Sequence, residues 1–446
     1  MIHISFLKRR LPIIVLIPNE LLLYFYFLSI QVISFTLAML MYFDTITHMT
    51  QSDFPIYQHH PDLVYLDNAS TTQKPQVVID AVEHFVSHQY ANIHRGLYPL
   101  AEQAEDVYDA SKQTVARWMG CRAADIFYSY NATHGYNIII HTLIHSQIIW
   151  PGDHIILGIR NHHASIVTRQ LQSKRVGFII DWVGLDDDRG CDMTLLTQLV
   201  SPHTKLIDIS HVSNVLGNCI DVCQIKSLYP DILVLVDASQ SIAHRSIIDV
   251  VQSADIVIWT GHKYYAYTGI GVVYVTPSLA SRLQTPFGGG GIIADVTTES
   301  SQIITSLSQF EPGTPNLIGA VSVAAACDYI ASLGGYEKIW QIEQPLTTLF
   351  LEWAHDHPTL IRIVGPKTLD QRVGVISFAL SQYVSRLTYV GEQLGLQNIC
   401  IRTGGHCAHP LLQSLWYPQG LCRVSLGITN TTDDLQRLFH ALQHLS

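Results

Sequence analysis

Leu233-Val234-Leu235-Val236-Asp237 and Ile256-Val257-Ile258-Trp259-Thr260-Gly261-His262-Lys263 are the two stretches whose reading decides the fold. Each is a short apolar run with no polar face, and each stops on polar or small residues. A strand of this kind is buried on both sides, as in a parallel sheet sandwiched by helices. Working outward, runs of the same texture recur at 126–128, 154–157, 177–183 and 205–209 upstream, and at 271–275 downstream. Stretches of helical spacing separate them. The alternation predicts an α/β fold built on a mostly parallel sheet.

Beyond Gly334-Gly335 the texture changes. A helical stretch over 336–357 leads to a strand-like 372–380, a helix over 383–394, a polar loop around Cys407 and a closing helix over 432–445. This predicts a smaller α+β domain at 336–446, packed on a large α/β domain at 49–335 whose first segment, 49–64, joins the small one. The 446 residues, 48% apolar and 14% charged, suffice for a large core and for that division. A net charge of −10 argues against a nucleic-acid surface, which needs a basic face. Eight cysteines show neither a paired framework nor a CxxC motif and read as thiols of a reduced, cytoplasmic protein. The histidines away from the strand ends lack metal-ligand spacing, so no metal site is expected.

Residues 1–48 read differently. Segment 21–43 has no charged residue and is long enough to span a bilayer, and Lys8, Arg9 and Arg10 precede it. Such an anchor would carry everything downstream out of the cytoplasm. Met49 opens an ordinary soluble sequence, so the expectation is a start at Met49, with 1–48 an upstream extension. A membrane anchor is the alternative.

In open α/β sheets ligands gather beyond the carboxyl ends of the strands. Asn131 and Thr133 follow the first run, His162 the second, Asn214 the fourth, Asp237 the fifth, and His262 with Lys263 the sixth. Lys263 and Asp237 are a pair that pyridoxal phosphate needs: an amine to hold its aldehyde as a Schiff base, and a carboxylate to keep its pyridine nitrogen protonated. Asn131-Ala132-Thr133 opens a helix near His134, where free amides and the positive helix end suit a phosphate. Cys407 sits in Arg402-Thr403-Gly404-Gly405-His406-Cys407-Ala408, a polar loop in which Arg402 and His406 are expected to favour its thiolate.

Seven runs then follow one another in order: Tyr65-Leu66-Asp67-Asn68-Ala69, His94-Arg95-Gly96, His211-Val212-Ser213-Asn214-Val215-Leu216-Gly217, Gly261-His262-Lys263, Thr268-Gly269-Ile270-Gly271, Phe310-Glu311-Pro312-Gly313-Thr314-Pro315-Asn316 and His406-Cys407-Ala408. From Tyr65 to the C-terminus this set resembles the group II, SufS-like branch of the cysteine desulfurases, within the class V aminotransferase family of fold type I pyridoxal phosphate enzymes. The resemblance implies that Lys263 carries the Schiff base, that His162 stacks on the cofactor ring and that Gln240 donates to its phenolic oxygen. It assigns the phosphate to Ala132, Thr133, Thr260 and His262, with Thr314 supplied by a neighbouring subunit, hence a homodimer. Arg423, with Asn214 and Arg402, would bind the L-cysteine substrate, while His94 and Arg95 match a rim segment reaching across the dimer. Cys407 would take the substrate's sulfur and pass it to an acceptor protein for iron–sulfur assembly. The chain departs from the pattern twice: Ala132 stands where relatives usually carry threonine, and Gly405 replaces one histidine of Gly-His-His-Cys. A selenocysteine lyase or another class V reaction is the alternative, and a membrane-tethered binding protein without chemistry a remote one.

Overall fold

The computed structural model describes residues 51–446 except 95, 188, 189, 371 and 446, so the extension at 1–48 and Arg95 lie outside the described residues. The apolar runs become β1 (Ile126–Ser129), β2 (His154–Gly158), β3 (Ile179–Val183), β4 (Thr204–Ser210), β5 (Leu233–Asp237), β6 (Ile256–Thr260) and β7 (Gly271–Val275). They form one seven-stranded sheet in the order β1-β7-β6-β5-β4-β2-β3. β7 runs against both its neighbours, and the other six strands share one direction. The mixed α/β class and the mostly parallel sheet therefore match the sequence expectation. One run differs from it. β3, expected to be buried on both faces, is one edge of the sheet; Ile179 is 45% exposed, and only Val183 of its five residues is buried.

Helices α1 (Pro99–Met119), α2 (Ala132–His145) and α3 (His163–Val176) flank this sheet. Successive strand residues point to opposite faces. On one face Ile256 and Ile258 of β6 share a cluster with Tyr136, Ile139, Ile140 and Leu143 of α2. On the other, Trp259 is fully buried, its Nε1 3.3 Å from Sδ of Met119 at the end of α1.

The later part of the chain adds α4 (Leu317–Ser332), α5 (Gly335–Asp356) and a second sheet. That sheet contains β8 (Ile361–Val364), β9 (Val375–Leu380), β10 (Arg402–Gly404) and β11 (Leu421–Ser425), antiparallel in the order β8-β9-β11-β10. Its helical cover is aromatic: Phe350 of α5 packs on Phe378, and Trp353 stacks on Phe439 of α6 (Thr432–Gln443) with centroids 4.2 Å apart. The strand expected over 372–380 begins only at Val375, because the Val373 amide donates outside the sheet, to Gly217 O at 2.9 Å. The segment after residue 51 crosses to this region. Tyr57 Oη lies 2.9 Å from Thr429 Oγ1, Val64 and Tyr65 pair with Ile399 and Cys400, and Ser425 N donates to Leu66 O at 2.8 Å. Among the described residues no single helix is long and apolar enough to cross a membrane.

Beneath the carboxyl ends of the large sheet lies an ion pair that holds α3 to β4. Arg169 Nη2 is 2.8 Å from Asp208 Oδ2, and both side chains are 0% exposed. Asn161 Nδ2 donates to Asp208 O at 2.8 Å, and its Oδ1 accepts from Ser210 N at 2.9 Å, which fixes the turn leading to His162. Removing one member of such a pair strands the other charge without water. Asp208→Ala is expected to lower the unfolding free energy by about 3–5 kcal/mol, read from urea denaturation midpoints.

Candidate active site

The polar residues at the strand ends converge on one cavity of about 760 Å³. Asn131, Ala132, Thr133, His162, Asn214, Asp237, Gln240, Thr260, His262, Lys263, Arg402, Cys407 and Arg423 all line it. His94 and Thr314 do not. Thr314 Oγ1 is 3.2 Å from Asn92 Oδ1, so the loop carrying Thr314 touches the segment that leads to His94. His94 is exposed, with its Nδ1 3.4 Å from Glu105.

Local structure explains how each group gets there. Asn131 caps α2: its Oδ1 accepts from His134 N at 2.8 Å, so the helix starts at Ala132, two residues before the expected opening. The amides of Ala132 and Thr133 have no intrahelical acceptor, which leaves two donors at the positive end of a 14-residue helix. Gly271 permits this approach, since a Cβ there would meet the Asn131 backbone at 2.6 Å. His162 caps α3 in the same way, with its Nδ1 accepting from Ala164 N at 3.1 Å. Its ring proton must therefore sit on Nε2 when the imidazole is neutral. Burial first, then Lys263, drive the His162 pKa down to about 3, so it is neutral at physiological pH.

Lys263 ends a single 3-10 turn, Gly261–Lys263, that follows β6. A Cβ at Gly261 would lie 2.6 Å from Ile270 Cγ2, so the turn requires glycine for this packing. The His262 carbonyl pins the turn by accepting from Thr72 N, Thr71 Oγ1 and Thr72 Oγ1 and from Lys74 Nζ. Burial pulls Lys263 down to about 8, with the Asp237 carboxylate opposing that shift. His262 falls to about 4, again chiefly by burial and then by Lys263, so it can donate a hydrogen bond at neutral pH but carries no charge. Asp237 is 7% exposed and accepts from Ser239 N at 2.8 Å.

The opposite wall is built from arginines. Arg423 Nη1 donates to Asn214 O at 3.0 Å, and its Nη2 lies 2.8 Å from Ser70 Oγ and 3.3 Å from Asp67 Oδ1. Arg402 Nη2 pairs with the other oxygen of the same carboxylate at 2.8 Å, while its Nε donates to Ser70 Oγ at 3.0 Å. Asp67 and Ser70 thus organise the site, a role that sequence reasoning missed. Tyr65-Leu66-Asp67-Asn68-Ala69 marked the segment, but nothing local shows that its carboxylate meets β10 and β11. Asn214 Nδ2 is engaged by His406 O at 2.6 Å, and one N–H of Gln240 is engaged by Ala69 O at 2.9 Å.

Cys407 is exposed, in a loop where His406 (φ 47°) and Cys407 (φ 53°) both adopt left-handed backbone. His163 N holds the loop by donating to Cys407 O at 2.9 Å. The expectation that His406 supplies positive charge to the thiol fails. His406 is buried with Nε2 3.0 Å from Leu421 O, and burial, then Arg423, lower it to about 3. Arg402, the other expected activator, is tied to Asp67.

Three buried side-chain oxygens around the cavity have no hydrogen-bond partner: Thr260 Oγ1, Gln240 Oε1 and Ser239 Oγ. Buried polar atoms are normally paired, so these are complemented by something that enters. A small molecule with an anionic end for the Asn131 helix cap, an aldehyde for Lys263 and a basic ring nitrogen for Asp237 fits the donor set, and pyridoxal phosphate has all three.

The family model described as aminotransferase class-V matches residues 64–438. The chain belongs to the class V aminotransferase family. A protein of Streptomyces coelicolor, named a probable cysteine desulfurase, is 34% identical over 409 residues, covering 90% of this chain and 97% of its own. A probable cysteine desulfurase of Mycolicibacterium paratuberculosis is 35% identical over 402 residues, 89% of this chain but 58% of that protein. Among solved structures, an apo cysteine desulfurase from Thermococcus onnurineus NA1 superposes with a TM-score of 0.83 at 27% identity, covering 89% of this chain and 97% of the other. The fold of this class V chain is the fold type I architecture of pyridoxal phosphate enzymes.

The balance between burial and Asp237 sets the charge of the Lys263 amine. In the protein free of small molecules the amine is expected to titrate at about 8. Asp237→Asn removes the group that raises it and should move the midpoint lower, measured by NMR of isotopically methylated Lys263.

Proposed function

We propose that this class V protein is a pyridoxal phosphate-dependent cysteine desulfurase of the group II, SufS-like branch, converting L-cysteine to L-alanine and carrying the sulfur as a persulfide on Cys407. The observation that carries the reading is an exposed thiol, Cys407, facing the same cavity as the Lys263 amine and the buried Arg423 guanidinium. The family and the names of its relatives agree with it.

In this reading Lys263 holds the cofactor's aldehyde, Asp237 its ring nitrogen, and Thr260, His262, Ala132, Thr133 and the Asn131 cap its phosphate. His162 lies against its ring and Gln240 meets its phenolic oxygen. When bound, pyridoxal phosphate supplies an electron sink for charge developing at the substrate's α-carbon. Ala132 contributes an amide where a threonine would add a hydroxyl. That absence weakens phosphate binding by about 1–3 kcal/mol at most.

Arg423 binds the substrate carboxylate as a planar fork, with Nε free and its carbonyl contact to Asn214 holding the fork's plane. Asn214 and Arg402 complete that end. Lys263 Nζ, held near neutrality by burial, takes the α-proton. Cys407 Sγ, as thiolate, attacks the substrate sulfur. The new S–S bond forms as the substrate C–S bond breaks, and its electron pair stays with the carbon that leaves in alanine.

The division into domains at 335 belongs to the same proposal, with the large layer holding the cofactor and the small one presenting Cys407. Thr314, His94 and Arg95 serve the site of a second subunit, in a homodimer. His94 and Thr314 stand outside their own chain's cavity, which supports that role. A cytoplasmic location and an acceptor protein feeding iron–sulfur assembly complete the reading.

Cys407→Ser should keep the cofactor's visible absorbance yet produce neither persulfide nor alanine from L-cysteine in the presence of a reductant; turnover at the parent rate would refute the thiol's role. Arg423→Ala should raise KM for L-cysteine about 10- to 100-fold with a smaller change in kcat, the loss expected of one charge-assisted hydrogen-bonded contact. Steady-state alanine assays give both constants.

A further inference from the structure

Two neighbouring histidines open α3, and only the first lines the cavity. His162 is part of its wall, while His163, the first residue of the helix, meets the Cys407 loop instead. The backbone N–H of His163, which has no acceptor inside the helix, donates to Cys407 O at 2.9 Å. Its side chain makes the second contact. The backbone N–H of His409 donates to His163 Nε2 at 3.2 Å, and His409 Nδ1 lies 3.1 Å from the same nitrogen. The two rings are stacked, 17° apart with centroids separated by 4.9 Å. One residue thus grips the chain on both sides of Ala408, by the carbonyl before it and the amide after it.

The grip falls where the backbone needs it. His406 and Cys407 have φ of 47° and 53°, a left-handed conformation that residues other than glycine keep only when held. Asn214 Nδ2 donates to His406 O at 2.6 Å, which fastens the loop before the thiol, and His163 fastens it after. An imidazole nitrogen that accepts a hydrogen bond carries no proton, so neutral His163 keeps its proton on Nδ1. A second proton would go to Nε2 and set one N–H against the N–H of His409. That fastening would then open.

We propose that the His163 imidazole is a positioning residue for the Cys407 thiol, and that it holds the loop only while Nε2 is free of a proton. The use made of that position rests on the desulfurase reading; the fastening itself does not. The titratable groups around the ring are His409 and, bonded through its carbonyl, Cys407 on the loop, with His162 on its own helix at a centroid distance of 6.3 Å. Burial, then His409, keep His163 below the ordinary histidine value. The fold therefore favours the neutral ring. The fastening is complete at neutral pH and is lost as the pH falls below the ordinary histidine range.

The test is hydrogen–deuterium exchange of the whole protein, with pyridoxal phosphate added, read by mass spectrometry on the peptide 405–415. Rates are corrected at each pH with the unfolded chain, and urea midpoints at the same pH separate local release from global unfolding. His163→Ala should raise exchange of this peptide at neutral pH about tenfold, the effect of losing its side-chain hydrogen bonds. In His163→Gln the side-chain oxygen takes the place of Nε2 and does not titrate. That variant should keep the parent's protection at neutral pH and hold it at pH 5, where the parent's falls severalfold. Parent-like exchange in His163→Ala, or an acid loss in His163→Gln as large as the parent's, overturns the proposal. Should His163→Ala fail to fold, the comparison of parent with His163→Gln decides alone. Alanine release from L-cysteine adds a second readout: kcat of His163→Ala should fall about tenfold with KM within about twofold, and His163→Gln should restore most of the loss. An unchanged kcat overturns the positioning role. A parent protein that releases no alanine sinks the desulfurase reading and leaves the exchange result to decide the fastening.

Discussion

Lys263, Asp237, His162 and His262 follow or end strands that are buried on both sides, and that placement removes the water that would otherwise set the charge of the amine and the imidazoles. The effect is the same for different residue types and opposite in consequence. Loss of hydration disfavours the charged form. It brings the Lys263 amine to about 8, where protonated and free forms are both accessible, and drives His162 and His262 to about 3 and 4, where both are neutral. A lysine that can exchange protons thus sits among imidazoles that serve as shaped, uncharged surfaces. Asp237, at the end of β5, supports the ammonium form and keeps the amine from falling further.

The same desolvation would make Arg423 costly without a carboxylate nearby. Asp67 provides it, and the segment that brings Asp67 is held by long-range contacts. Val64 and Tyr65 pair with Ile399 and Cys400, Asp67 bridges to Ser425, and Ser70 Oγ takes hydrogen bonds from both arginines. The two ion pairs are not equivalent. The Arg402 side chain is half exposed, so its pairing is worth at most about 1 kcal/mol. Arg423 is 3% exposed, and stranding its guanidinium would cost about 3–5 kcal/mol. Asp67 is therefore chiefly a support for Arg423, and it holds the half-exposed Arg402 more weakly.

The large sheet and the polar strand ends were legible in the sequence because both are local signals. Uniform apolar runs report burial, and the first polar residue after each run reports a strand end, which is why Asn131, His162, Asn214, Asp237 and Lys263 were found in chain order. What was not legible depends on partners far apart. The run at 177–183 looks like the others, yet its place at the sheet's edge follows from strand order, which no run encodes by itself. Asp67 meets Arg402 and Arg423 more than 300 positions later. His406 looked like an activating cation because it adjoins Cys407, and only its burial against Leu421 O removes that role.

The site is also where the fold gives up stability. Thr260, Gln240 and Ser239 each bury an oxygen without a partner, and His406 and Cys407 hold left-handed backbone without glycine's freedom. Unpaired buried polar groups and strained dihedrals each cost about 1–3 kcal/mol. Such defects persist only where the surroundings over-determine them. Here the surroundings are the buried strands on one side and, on the other, a loop pinned by His163 N and Asn214 Nδ2. A ligand that supplies the missing partners recovers part of that cost on binding, so unsatisfied atoms at the strand ends are themselves a source of affinity. The thiol's strained position has no such remedy from the ligand. It is held instead by the α3 cap and by the bond from Asn214, which ties the reactive loop to the same strand ends that carry the other groups.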